Sequence, residues 1–185
     1  MRMNKFFPIA ALALLAACSS GPSPEMQANM DKMAANKKAY EALMNCWSTG
    51  DKAMADSLLA DNFMTHNPDP MIKSTGKQAW LEAMDMYRGM NPDMKGEGKV
   101  IIADGDWVGA VAMVAGTNTG SAPGMPATNK GWNVTGMDFI RFENGKAVEH
   151  WGLFDNMTMM TQLGLMPAMG AEPDTAAAAV TATAD

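Results

Sequence analysis

The chain has 185 residues, with 14 lysines and arginines against 20 aspartates and glutamates, and a formal net charge of −6 at pH 7. This length suits one domain of ordinary size. The acidic balance argues against nucleic acid as a partner, because phosphate binding requires a basic patch and the sequence contains none.

The N-terminus has the pattern of a secretory signal. Two basic residues precede the apolar run FFPIAALALLAA, which is too short to span a bilayer as a permanent helix. The sequence LAAC at residues 15–18 resembles the lipobox of bacterial lipoproteins, which implies cleavage before Cys18 and a lipid on its thiol. Ser19 follows instead of an aspartate, which in that class implies passage to the outer membrane. The alternative is an ordinary secretory signal with an incidental Cys18.

We therefore expect a signal peptide at residues 1–17 and a lipid anchor at the outer membrane, facing the periplasm. Residues 18–25 would be the lipidated cysteine and a Ser/Pro/Gly tether, and residues 167–185 a disordered tail without large side chains. One folded domain would span residues 26–166. Its Cys46 has no intramolecular partner and is expected to be a buried helix residue.

The first half of this domain has a helical pattern. Gly50 suits the C-terminal cap of a long first helix, and Asp51 the N-cap of a second, DKAMADSLLA. FMTHNPDP indicates a short extended piece, and a third helix follows Thr75 and ends near Gly89. The stripe that predicts the first helix, with spacings of three, four or seven, consists of Met26, Met30, Met33, Tyr40, Met44 and Trp47.

The second half alternates with a period of two. It predicts two strands around the turn Asp104-Gly105-Asp106 and two more around Asn144-Gly145, followed by a closing helical turn in MTMMTQLGLM. Three helices and then about four strands, without βαβ alternation, indicate the α+β class.

Several motifs together resemble the SnoaL-like polyketide cyclases and predicted ester cyclases of the nuclear transport factor 2-like superfamily. The resemblance covers about residues 26–166 and implies a cone-shaped α+β barrel, in which helices close a strongly bent sheet around an apolar pocket. It says little about the reaction, because one scaffold hosts both enzymes and binding proteins. The motifs are Gly50-Asp51, His66-Asn67-Pro68, Gly136-x-Asp138-x-x-Arg141 and His150-Trp151-x-x-x-Asp155.

In SnoaL-like cyclases an aspartate near the end of the last long strand is the general acid/base of an aldol ring closure, without metal or cofactor. Asp155 is the position that the resemblance matches. A carboxylate suits this work in a dry pocket, because desolvation raises its pKa toward neutrality. The alternative is that Asp155 caps the following helix.

His66 lies in a loop stiffened by prolines, and it is the expected electrophilic partner of Asp155, with Asn67 beside it in the pocket. Alternatively, His66 only caps backbone groups. Alternation along the last strand puts Trp151 on the face of Asp155, and His150 on the opposite face, unless a bulge near Gly152 resets the register.

Further roles are open for Trp132, Asp138 and His150. Trp132 would line either the pocket or the core. Asp138 and Arg141 should point to opposite faces, and we expect Asp138 to be paired, since a lone buried charge is costly. His150 is counted with Trp151, Trp132 and Asn67 as a candidate substrate-binding residue.

No metal or cofactor is predicted. The two histidines lack the spacing of a metal pair, and the Gly-rich segment GTNTGSAPGMPATNKG lacks the phosphate-loop pattern. The 21 methionines could bind Cu(I), but their helical period favours a role in the core.

Two functions remain open. The first is a cofactor-free cyclase or isomerase of a small apolar carbonyl compound, with Asp155 and His66 as catalytic residues. The second is a periplasmic module that binds such a ligand without turnover. Relatives commonly pair through the outer face of the sheet, so a homodimer is expected. An Asp155 inside a closed pocket would favour the enzyme, and an Asp155 that only caps a helix would not.

Overall fold

The computed structural model describes residues 21–167, so the predicted signal peptide, Cys18 and residues 168–185 of the predicted tail lie outside the described range. Within residues 21–167 the chain forms four helices and five strands. They are α1 (Pro24–Thr49), α2 (Lys52–Leu58), β1 (Leu59–Thr65), α3 (Gly76–Met90), β2 (Lys95–Asp104), β3 (Trp107–Thr117), β4 (Gly131–Glu143), β5 (Lys146–Phe154) and α4 (Asn156–Leu163).

The strands form one curved mixed sheet in the order β1-β5-β4-β3-β2. Strands β2 to β5 pair as antiparallel neighbours, while β1 pairs with β5 in parallel. Helices α1 and α3 pack on one side, against β2, β3 and β1. This is the α+β architecture that the sequence predicts, with the helices covering one face of the sheet.

The helix boundaries follow from local chemistry. Ser23 accepts a hydrogen bond from the Met26 amide, and Pro24 occupies the first turn, where its missing N–H costs nothing. Gly50 ends α1 with φ 79°, a left-handed conformation in which a side chain would be strained. Asp51 then caps α2 through the Met54 amide. The predicted Gly50-Asp51 junction is therefore confirmed.

The central core lies between α1, α3 and the inner face of the sheet. Tyr40, Leu43 and Cys46 of α1 are almost completely buried. The predicted burial of Cys46 is thus confirmed, and burial raises the pKa of its thiol. A second cluster around Trp132 joins β4 to α4 through Met159 and Leu163.

Two expectations are corrected. The second helix ends earlier than predicted, at Leu58, because Leu59 begins β1, where it pairs with Ala147 and is fully buried. The helical stripe of α1 is also not buried along its whole length. Met26 and Met30 are exposed, because the first turns of α1 extend past the sheet, and burial begins at Asn36.

Within residues 21–167, no helix is both long and apolar enough to cross a membrane.

Candidate functional site

A cavity of about 700 Å³ lies between the helices and the inner face of the sheet. Its walls come from α1, α3, the loop after β1 and the inner faces of β2 to β5. A volume of this size accommodates a small organic molecule. The cavity therefore defines the candidate site.

Asp138 and His150 form a hydrogen-bonded pair in this cavity. His150 Nε2 lies 3.0 Å from Asp138 Oδ1, and His150 Nδ1 lies 3.0 Å from the Thr65 hydroxyl. An ionised carboxylate can only accept hydrogen bonds, so we assign the proton to Nε2, with Nδ1 accepting from Thr65. The ring is held in one orientation from both ends.

Tyr40 adds a second donor to the same carboxylate. Its hydroxyl, on α1, donates to Asp138 Oδ2 at 3.0 Å. Burial raises the pKa of Tyr40 well above its ordinary value, and the Asp138 charge and hydrogen bond raise it further. Tyr40 therefore stays protonated and remains a donor. Asp138 lies between two donors, one from the helix and one from the neighbouring strand.

Gly152 makes room for the histidine. It lies opposite Asp138 on β5, and the His150 ring leans over it. A Cβ atom at Gly152 would lie 2.6 Å from His150 Nε2 and 3.3 Å from Asp138 Oδ1, closer to the ring than van der Waals contact allows. The missing side chain thus permits the Asp138–His150 hydrogen bond.

The register of β4 and β5 decides which residues share the cavity face. Near the turn, Phe142 pairs with Ala147, but Arg141 pairs with Glu149, so Val148 is an extra residue. Beyond this bulge the inner face carries Asp138 and His150. The outer face carries the pairs Met137–Leu153, Phe139–Trp151 and Arg141–Glu149. Asp138 and Arg141 thus point to opposite faces, and Asp138 is paired, as expected.

Asp155 lies outside this arrangement. It is exposed and caps α4, accepting from the Thr158 amide at 3.0 Å. That hydrogen bond is the main cause that lowers the pKa of Asp155, the opposite of the raised value that an acid/base in a dry pocket requires. The expectation that Asp155 lies in the pocket is therefore corrected: β5 ends at Phe154, and Asp155 begins the helix.

His66 and Trp151 lie on the outer face of the sheet. Their rings stack at 3.7 Å between centroids, and His66 Nε2 lies 2.9 Å from Glu149 Oε1. Glu149 also accepts from Arg141 at 2.8 Å. The expected partnership of His66 and Trp151 with Asp155 inside the pocket is corrected, because beyond the bulge at Val148 the residues Glu149, Trp151 and Leu153 lie on the outer face.

The other candidates divide between cavity and core. Asn67 and His150 line the cavity, so His150 is in the pocket and not behind it. Trp132 is buried in the cluster with α4, where its indole N–H donates to Asn91 Oδ1 at 2.7 Å. Trp132 is thus a core residue, which is one of its two expected roles.

A second depression, of about 640 Å³, lies at the edge strand β1 and the start of α3. Its one lysine is already paired, since Lys77 lies 3.2 Å from Asp56 and 2.9 Å from Asp61. We therefore assign the candidate site to the cavity of about 700 Å³ between the helices and the sheet. Among residues 21–167, no group of three or more His, Cys, Asp or Glu side chains is arranged to hold a metal ion.

Tyr40 and Gly152 were not identified as site residues from the sequence. Tyr40 belongs to the α1 stripe, where its hydroxyl could have been noted as a polar group on a buried face. Gly152 follows His150 by two positions, which places both on one face of a strand. No local signal indicates the bulge at Val148 that brings them to Asp138.

Comparison with known proteins agrees with this architecture. The family model of the SnoaL-like polyketide cyclases matches residues 37–163, more than half of the chain. The chain therefore belongs to the SnoaL-like polyketide cyclase family. No functionally curated protein matches it.

Among solved structures, IdmH from Streptomyces antibioticus, a candidate polyketide cyclase, is 26% identical with a TM-score of 0.63, over 70% of this chain and 98% of that one. TsrD from Streptomyces laurentii is 22% identical with a TM-score of 0.65, over 72% and 97%. AclR from Streptomyces galilaeus, a candidate hydroxylase, is 22% identical with a TM-score of 0.65, over 80% and 91%. These likenesses show the shared fold.

Proposed function

We propose that the cavity binds a small apolar carbonyl compound and that Asp138, held by Tyr40 and His150, is its general acid/base without a cofactor. The observation that carries this proposal is the Asp138–His150 pair inside a cavity with mainly apolar walls. A carboxylate held in place by two hydrogen-bond donors is suited to proton transfer at a carbon next to a carbonyl group.

The reaction would proceed in two proton transfers. Asp138 takes a proton from the carbon next to the carbonyl; the electron pair of that C–H bond forms the C=C bond of an enolate, and the π pair of the C=O bond moves to the oxygen. The resulting enolate carbon bonds to a second carbonyl carbon of the same molecule and closes a ring. Asp138 then returns the proton to the new alkoxide oxygen. Tyr40 and His150 stabilise the carboxylate whenever it is ionised.

The second candidate is a binding module without turnover. Its support is that both ring nitrogens of His150 already have protein partners, Thr65 and Asp138. Such a saturated network suits a rigid ligand pocket as well as a reacting one.

We further propose that the protein is a lipoprotein of the outer membrane, anchored through Cys18 and facing the periplasm. The support is the sequence pattern at residues 1–19.

A homodimer through the outer face of the sheet remains part of this proposal. That face exposes large apolar side chains, among them Phe139 and Leu153, 52% and 70% exposed. Exposed apolar patches of this kind commonly mark interaction surfaces.

Native mass spectrometry of the mature protein in detergent, after incubation with a bacterial metabolite extract, tests the function. We expect the wild type to capture an apolar carbonyl compound and to convert it. Asp138→Asn should capture the compound without converting it, while Asp155→Asn should do both. Conversion by Asp138→Asn at the wild-type rate would overturn the proposed acid/base, and capture without conversion by any form would favour the binding module.

A further inference from the structure

Three aromatic rings form a connected wall of the cavity at the side of α1 and α3. Trp47 contacts Trp80 at 5.4 Å between ring centroids and 68° between ring planes. Trp47 also contacts Tyr87 at 6.3 Å and 67°. All three residues line the cavity, and Trp80 and Tyr87 are seven positions apart on one face of α3. The three rings pack edge to face and form one aromatic corner of the cavity wall, here called the cage.

The charged side chains that line the cavity are all acidic, and the neighbouring cations Arg88 and Lys99 are already bonded to the Trp47 carbonyl and to Glu97. The described residues that line the cavity include the carboxylates of Glu41, Asp69, Glu97 and Asp138, and neither lysine nor arginine. Asp69 is fixed next to the cage, because its carboxylate accepts from the Tyr87 hydroxyl at 2.7 Å and from the Met71 amide at 2.8 Å. Burial, together with this hydrogen bond, raises the pKa of Tyr87, so its hydroxyl stays neutral.

Aromatic faces and carboxylates together select one class of ligand. The face of an aromatic ring carries negative charge density and attracts cations, most effectively those that are weakly hydrated, such as quaternary ammonium groups. A carboxylate at the edge of the cage adds Coulomb attraction. We propose that the cavity takes a ligand with a tertiary or quaternary ammonium group, held by Trp47, Trp80 and Tyr87 beside Asp69.

This inference deepens the proposed function, on which it rests, by naming a chemical feature of the compound. Trp80 connects the two parts of the site, because its ring also contacts the His150 ring edge-to-face at 4.9 Å. An ammonium group in the cage would therefore leave the rest of the molecule next to Asp138. The compound is an apolar carbonyl molecule with a cationic end.

The same charges argue against anionic ligands. A carboxylate or phosphate in this cavity would meet the carboxylates of Glu41, Asp69 and Asp138, without a lysine or arginine among the described lining residues to neutralise it; the fourth lining carboxylate, Glu97, is paired with Lys99. We therefore infer a free ammonium compound and not a phosphocholine lipid headgroup, in which the ammonium is followed by a phosphate.

The experiment compares three probes of nearly equal shape, and a fourth that carries an added phosphate, by ligand-observed NMR and calorimetry on the mature protein in detergent. Choline carries the cation, 3,3-dimethylbutan-1-ol is its neutral carbon isostere, 3,3-dimethylbutanoate is an anion, and phosphocholine adds the phosphate. We expect choline to bind about tenfold more tightly than the neutral alcohol, which corresponds to a desolvated cation–π contact. The two anionic probes should bind more weakly than choline.

Three substitutions test whether choline binds at the cage. Asp69→Asn keeps the shape of the loop. It should lower the affinity for choline about fivefold without changing the affinity for the neutral alcohol. Trp47→Leu should abolish the preference for choline, while the matched control Trp151→Leu, on the outer face, should retain it. Phosphocholine binding as tightly as choline would instead identify a headgroup site and overturn the inferred ligand.

Equal affinity for choline and its neutral isostere, or no binding of choline, would also overturn the inference. Either result leaves the proposed acid/base intact if the wild type still converts its captured compound and Asp138→Asn does not. Loss of that difference between the wild type and Asp138→Asn would overturn the proposed function alone.

Discussion

Asp138 and His150 share the inner face of the sheet because β5 contains a β-bulge at Val148, an extra residue without a partner on β4. Without this bulge, the pairing of Glu143 with Lys146 would continue and place Asp138 opposite Trp151. A shift of one residue exchanges the two faces of a strand. The bulge therefore brings His150 to within 3.0 Å of Asp138 and sends Trp151 to the outer face.

Gly152→Ala should disrupt this pair. The added Cβ would lie 2.6 Å from the His150 ring, so the ring must leave Asp138 or the strand must move. Overpacking of this kind costs about 1–3 kcal/mol of unfolding free energy, measurable by urea denaturation. Gly89→Ala is the control, because a Cβ there meets nothing within 4 Å and the site is helical. Equal stability of Gly152→Ala and the wild type would contradict the packing argument.

Tyr40→Phe should remove one donor from Asp138 and leave the cavity shape unchanged. A hydrogen bond to a charged group contributes about 1.5–3 kcal/mol, so both stability and conversion of the captured compound should fall. Ser74→Ala is the control, since it removes a hydroxyl from another carboxylate, that of Glu82, and neither residue lines the cavity. A larger loss of conversion in Ser74→Ala than in Tyr40→Phe would contradict this role of Tyr40.

Asp155→Asn should bind and convert the ligand as the wild type does. Asparagine is also a good N-cap, so α4 should persist. Asp155→Ala should lower the melting temperature by a few degrees, because the Thr158 amide loses its acceptor. A differential scanning calorimetry series, run beside the conversion assay, separates the two effects. Loss of conversion with an unchanged melting temperature in Asp155→Asn would restore Asp155 as a catalytic candidate.

The outer-face pair Arg141–Glu149 should make stability depend on pH in acid. The Arg141 guanidinium, and next His66, hold the pKa of Glu149 below its ordinary value of 4.5. Because the folded pKa is depressed, this stabilisation is present above pH 4.5 and is lost as pH falls through the lower folded value.

Urea denaturation between pH 6 and pH 3, chosen to span the ordinary glutamate pKa of about 4.5, checks this expectation. Glu149→Gln should lose less stability than the wild type over the acid part of that range. Glu25→Gln, a change to an exposed carboxyl at the start of α1, is the control and should follow the wild type. Parallel curves for the wild type and Glu149→Gln would contradict the role of the ion pair.

The sequence predicts the elements of the fold because their signals are local. Four local signals predict the end or the start of an element through a cap or a backbone conformation, and the structure has a boundary at each of them. They are Gly50, Asp51, Gly105 and the Asn144-Gly145 turn. Strand β1 was missed in part, because LADNF continues a helical pattern and becomes a strand only through its pairing with β5.

The candidate site was harder to predict than the fold, because the pairing register of β4 and β5 decides which residues share it. Alternation along β5 correctly separates Trp151 from His150, but it does not say which face is covered by helices. The exposed position of Trp151 and the buried one of His150 follow from the packing of α1 and α3, which is non-local. Asp155 fits the motif but lies one residue past the end of the strand, where a cap forms instead.

Histidine NMR tests the central assignment most directly, because the chain contains only His66 and His150. The compound captured by the wild type would be titrated into the mature protein while the ring ¹⁵N resonances are followed, with His66→Gln for assignment. The account predicts that the His150 resonances shift on binding and that the His66 resonances do not. A shift confined to His66 would contradict it, since the ligand would then lie on the outer face of the sheet.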